Sequence, residues 1–156
     1  MSHYGRGASN VVFLDVHTGL GRFATSEIIL NSGMDTPEWA RATEIWGGWV
    51  RSTKVSDSVS ADLYGTLKLS VANALPGAQV TAASIEFGTF SAIRVLRALR
   101  AENWLHHYGD QQSPKGKHIK AALKAAFGPD DPRWRDAICR QGLEAVDRAL
   151  NWLAER

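Results

Sequence analysis

Two polar residues stand at the ends of apolar runs. His17 follows Val11–Val16, and Glu86 lies near the end of Gln79–Phe87. Ligand crevices in open α/β sheets lie beyond the carboxyl ends of the strands, so both residues are placed where a site would form. A neutral imidazole binds zinc, and a carboxylate beside a metal-bound water can take its proton while the metal polarises a carbonyl. The pair therefore suits hydrolysis. Spacing alone leaves plainer roles open: a hydrogen-bonded histidine after a strand, and a carboxylate capping a loop or the next helix.

A rival pattern overlaps the same loop. Gly19-Leu20-Gly21-Arg22-Phe23-Ala24 follows a strand and matches the glycine fingerprint for dinucleotides. That fingerprint needs a helix and then a second strand ending in an acidic residue about twenty positions on. Here that distance falls in a helical stretch, Trp39–Val50, so the second strand is missing. The remaining polar residues have plainer readings. His106 and His107 close a helix, where a cation is favoured. His118 faces solvent, and Arg94, Arg97 and Arg100 form a solvated helix edge. The 6 Trp residues read as core or interface material. Cys139 is the single cysteine, in a helical stretch, and reads as a buried, unreactive thiol in a reducing compartment.

The elements that must position these groups follow from periodicity. Val11–Val16 is a β-branched apolar run, as in a strand covered on both faces of a largely parallel sheet. Asp35-Thr36-Pro37-Glu38 starts a helix, with Trp39, Thr43, Trp46 and Val50 on one face and Gly47-Gly48 weakening its last turns. Residues 52–61 form a loop, and the alternation of Leu67, Leu69 and Val71 predicts a half-covered strand over Tyr64–Val71. Pro76-Gly77 is a turn before the Gln79–Phe87 strand. Everything after Ser91 reads as helical. Ala92–His107 has Val95, Leu96 and Leu99 as its core, Lys117–Phe127 has Ile119, Leu123 and Phe127, and a last helix begins near Pro132 with Trp134, Ile138, Val146, Leu150 and Leu153 inward.

Composition bounds the whole. A chain of 156 residues, 44% hydrophobic and 22% charged, suits one soluble globular domain. Residues 1–90 hold 6 basic and 8 acidic groups and residues 91–156 hold 12 and 8, for a net charge of +2. That balance does not by itself indicate a nucleic-acid-binding surface, and no nucleic-acid partner is expected. The polar N-terminus is unlike a secretory signal and no apolar run reaches the length of a membrane span, so a cytoplasmic protein without membrane partners is expected.

The segments Phe13-Leu14-Asp15-Val16-His17-Thr18-Gly19-Leu20-Gly21, Ile85-Glu86-Phe87-Gly88-Thr89 and Leu96–His106 together resemble the C-terminal part of an uncharacterised zinc carboxypeptidase-like family. That family is related to carboxypeptidase A and to the succinylglutamate desuccinylase and aspartoacylase group. The resemblance runs from about Val11 through the final helix. It implies an α/β fold, part of a three-layer α/β/α arrangement, with a mixed sheet and a helical C-terminal part. Residues 1–156 would be one domain, corresponding to the C-terminal half of the catalytic domain. The resemblance makes His17 the third zinc ligand and Glu86 the general base, with Asp15 supporting His17 from behind. The activity it implies is hydrolysis of a peptide or N-acyl amide bond.

One departure qualifies that expectation. The family's first two zinc ligands come from a His-x-x-Glu motif, and an Asn-Arg segment grips the substrate carboxylate; this sequence has neither, and His3 is followed three residues later by Arg6. His17 alone would hold zinc weakly, because catalytic zinc takes three protein ligands. The sequence therefore reads as an incomplete hydrolase, either truncated or half of a split enzyme. The alternative is a non-catalytic interaction or oligomerisation module derived from the same fold. Absent strands would leave edges and apolar surface to be covered by a second copy or by a partner chain supplying the missing half.

Overall fold

A computed structural model describes residues 7–55, 57–62 and 65–156; His3 and Tyr64 lie outside the described residues. The protein is α/β, with a mixed four-stranded sheet and five α-helices among the described residues. In chain order the elements are β1 (Asn10–Thr18), β2 (Ser26–Leu30), α1 (Pro37–Trp46), β3 (Val50–Ser52), α2 (Leu67–Ala74), β4 (Gln79–Phe87), α3 (Ala92–Tyr108), α4 (Pro114–Phe127) and α5 (Pro132–Ala154). The strand order is β1-β4-β2-β3. Among the described residues no helix is long and apolar enough to cross a membrane.

The chain divides into two compact units. The first holds the residues up to His17, Glu27–Glu86 and Arg140–Arg156; the second holds Thr18–Ser26 and Phe87–Cys139.

In the first unit, β4 is buried on both faces from Val80 onward, because it is a central strand of the sheet with a neighbour on each side. The run at β1 looked equally covered, but β1 lies at the edge of the sheet and is only half-buried, with Val16 68% exposed. β2 and β3 pair in parallel, Ile28 opposite Val50 and Leu30 opposite Ser52. Sequence periodicity identified neither: Ile28-Ile29-Leu30 is too short to show a period, and Val50 continued a helical stripe.

That stripe is corrected as well. Thr36, not Asp35, caps α1, its hydroxyl accepting from the Trp39 N–H at 3.2 Å. Gly47, at a φ of +60°, ends the helix, so Val50 belongs to β3 and the buried face is Ala42, Ile45 and Trp46. The Trp46 indole donates to the Ala145 carbonyl of α5 at 3.0 Å. α1 also completes β4. The Glu38 carboxylate accepts from the Ala82 N–H at 2.9 Å, and Arg41 donates to the Val80 carbonyl at 2.8 Å and the Thr81 hydroxyl at 3.0 Å. Helix side chains thus satisfy backbone groups of a buried strand.

The predicted strand at Tyr64–Val71 is overturned: Leu67–Ala74 is the helix α2. Its buried residues are Lys68 and Val71, three apart on one helical face, whereas Leu67 and Leu69 are exposed. Alternation of leucines imitated a strand because the residue actually turned inward was a lysine. Val71 and Leu75 pack with Val80, Ala82, Val11 and Phe13.

Within α5, the large aliphatic residues expected inside are outside: Val146 and Leu150 are exposed, while Ala145, Ala149 and Trp152 are buried. Small residues let that face approach its neighbour closely.

In the second unit, α3 buries Val95 and Leu105, but Leu96 and Leu99, expected in the core, are exposed. Ile119 of α4 is buried as expected, and the helix begins at Pro114, capped by Ser113, rather than at Lys117. Cys139 is exposed, contrary to the buried thiol expected from its helical context, because it points away from the face that holds Trp134 and Ala137.

Candidate functional site

His17, Glu86 and Asp15 all lie in the first unit, on β1 and β4. Two backbone hydrogen bonds fix how those strands align. The Gln79 N–H donates to the Ser9 carbonyl at 2.8 Å, and the Gly19 N–H donates to the Phe87 carbonyl at 3.1 Å. In a parallel pair both bonds give one register, with Asn10 beside Gln79 and Thr18 beside Phe87. His17 is then beside Glu86, and Asp15 beside Ser84. Paired residues of adjacent strands project to the same face, with backbones about 5 Å apart. The packing agrees: Val11 and Phe13 share a cluster with Val80 and Ala82, which this register places beside them.

One sheet face thus changes character along its length. Its first part, Val11, Phe13, Val80 and Ala82, is covered by α2. Its continuation, Asp15, His17, Ser84 and Glu86, is polar. Here Asp15 Oδ2 lies 2.8 Å from His17 Nε2, with side-chain exposures of 27% and 49%. Glu86 is buried, at 8% exposure. An imidazole that donates from Nε2 to a carboxylate carries its lone pair on Nδ1 when neutral, and that is the nitrogen available to a ligand or proton.

Sequence reading missed Lys68. Its ammonium is buried and donates to the Ile29 carbonyl at 3.0 Å. Burial lowers its pKa from the ordinary 10.5, while the carboxylates of Asp15 and Glu38 act in the opposite direction. The signal was available: a lysine three residues before Val71 on an otherwise apolar face. It was hidden by the choice of strand over helix.

Whether these residues fit a zinc ion follows from the donor set. The Asp15–His17 arrangement has the form of a carboxylate supporting a liganding histidine. Among the described residues, however, no group of three or more His, Cys, Asp or Glu side chains could hold a metal. Catalytic zinc takes three protein ligands. The described residues do not complete a zinc site.

The other residues of the two motifs lie in the second unit and serve packing. The last carbonyls of a helix lack intrahelical donors. At the end of α4, Thr18 Oγ1 donates to the Phe127 carbonyl and Thr89 Oγ1 to the Ala126 carbonyl, each at 2.7 Å. The Trp134 indole donates to the Gly88 carbonyl at 2.9 Å. A Cβ at Gly88 would lie 2.0 Å from the Arg22 carbonyl oxygen, and one at Gly19, where φ is +131°, would lie 2.8 Å from the Phe127 ring. These glycines permit close approach. They do not form a dinucleotide turn, because the loop leads into β2 where that fingerprint needs a helix N-terminus.

A family model described as "Protein of unknown function (DUF2817)" matches residues 1–141. No curated protein and no solved structure matches the chain.

Proposed function

We propose that this chain, which belongs to the DUF2817 family of proteins of unknown function, carries the proton-transfer part of a site that hydrolyses a peptide or N-acyl amide bond. The observation that carries the reading is the strand register that pairs residue His17 with residue Glu86, with Asp15 Oδ2 2.8 Å from the ring of His17. The resemblance to zinc carboxypeptidases and N-acyl amino acid hydrolases points the same way. Because the described residues do not complete a zinc site, the chemistry below uses only the chain's own groups.

Glu86 accepts a proton from water as its oxygen attacks the amide carbon, then returns that proton to the nitrogen as the C–N bond breaks. The products are a carboxylate and an amine. Asp15 fixes the ring of His17 and its tautomer, leaving the Nδ1 lone pair to act as ligand or hydrogen-bond acceptor. Any further metal ligands would lie beyond the described residues.

The test is hydrolysis of a panel of peptides and N-acyl amino acids, with zinc content measured in parallel. Glu86→Gln should abolish any turnover, and His17→Ala should lower zinc retention. Turnover unchanged in Glu86→Gln, or equal zinc in wild type and His17→Ala, would overturn the assignment of that residue.

A further inference from the structure

The exposed face of α5 offers an inference independent of the hydrolase reading. Leu143, Val146 and Leu150 are 65%, 44% and 57% exposed. Their spacing of three and four residues places them on one stripe, on the side of the helix away from buried Ala145, Ala149 and Trp152. This is the spacing of a coiled-coil seam. Along one flank lie Arg140 and Asp147, both exposed. Other charges on this part of α5 are satisfied within the chain: Arg148 pairs with Glu144 at 2.7 Å and Arg156 with Glu44 at 2.6 Å. Among the described residues, no ion pair joins Arg140 or Asp147 to another group.

We infer that α5 is a homodimerisation helix that pairs antiparallel with α5 of a second copy. A two-fold axis near Glu144 and Ala145 sets Leu143 against Val146 of the second copy, and the reverse. The same axis brings Arg140 of each copy to Asp147 of the other, giving two opposite-charge contacts beside the apolar seam. A parallel pairing gains neither contact. The occupant is a second copy because the charge pattern complements itself under this symmetry. α3 provides the contrast. Its exposed Ile93, Leu96 and Leu99 are accompanied by Arg94, Arg97 and Arg100, and self-pairing there would bring like charges together.

The seam is shorter than a standard interface, so the dimer should be weak, with a dissociation constant in the micromolar range. Sedimentation velocity of the full chain, from a few micromolar to several hundred micromolar, should show a monomer–dimer equilibrium. Leu143→Glu and Leu150→Glu, both on an exposed face, should leave only monomer with an unchanged circular dichroism spectrum. Asp147→Arg should raise the dissociation constant roughly fivefold, and adding Arg140→Asp should restore it, because the double change re-creates the complementary pairs. A wild type that stays monomeric over the whole range overturns the inference. So does a dimer that survives Leu143→Glu, or an Arg140→Asp/Asp147→Arg double variant no tighter than Asp147→Arg alone.

Discussion

His17 and Thr18 are consecutive in the chain, and Glu86 and Thr89 are almost so, yet the members of each couple have different surroundings. His17 keeps 49% of its side chain exposed and meets Asp15. Thr89 is fully buried, and its hydroxyl closes a helix end. A motif that looks like one functional signature thus contains two kinds of residue. Asp15, His17 and Glu86 present acid–base groups on one sheet face. Thr18, Gly19, Gly88 and Thr89 are required by the close packing of a loop, a strand end and α4. The lesson is that matching a whole motif does not assign chemistry to each of its members.

Substitutions on the packing side should cost the most stability. Gly88→Ala puts a methyl group 2.0 Å from a backbone oxygen, which no side-chain rotation relieves. It should destabilise the protein by about 3 kcal/mol or more in urea unfolding. A loss below 1 kcal/mol, on the order of a surface change, would show that the loop yields easily and would blur the contrast. Thr89→Val keeps the shape but removes the donor to the Ala126 carbonyl, and should cost about 1–3 kcal/mol. A neutral result would mean that the helix end finds another donor.

Lys68 tests the boundary between the two groups, since it is buried yet the Asp15 carboxylate acts on it electrostatically. Its pKa in the folded state lies below the unfolded value of 10.5. Between the two values the unfolded chain binds more protons, so the lysine's contribution to stability rises with pH across that window. Lys68→Met should lack this increment. The check is the difference between the wild-type and variant urea midpoints, measured from pH 8 upward: it should move in favour of the wild type as pH rises toward 10.5. Parallel curves would mean that the ammonium is solvated in the folded state.

The smallest effect belongs to the chemistry side. His17→Ala should alter stability by no more than about 0.5 kcal/mol, because a half-exposed hydrogen-bonded side-chain pair contributes little. A loss of 2 kcal/mol, on the order of a broken buried network, would reassign His17 to the structural group and weaken the hydrolase reading.

Much of this arrangement was legible in the residues. The nine residues of β4 were marked by their alternation after the Pro76-Gly77 turn, and α3, α4 and α5 by long helical periodicity. His17 and Glu86 were identified by type and position at strand ends. Short elements were not. β2 and β3 have too few residues for a period to emerge, and they exist because each supplies the other's hydrogen bonds. Lys68 was hidden because burial of a lysine depends on carbonyls and carboxylates brought in from distant parts of the chain.

The amino-acid sequence by itself determined that this is an α/β protein, where its long strands and helices run, and that an imidazole and a carboxylate stand near the ends of two of those strands. Tertiary structure alone decided that β1 is an edge strand, that His17 falls beside Glu86, and that α5 turns alanines inward and leucines out. The reason is physical. Local periodicity reports how a segment coils, whereas burial and register depend on partners far away in the chain, whose contribution no local window contains.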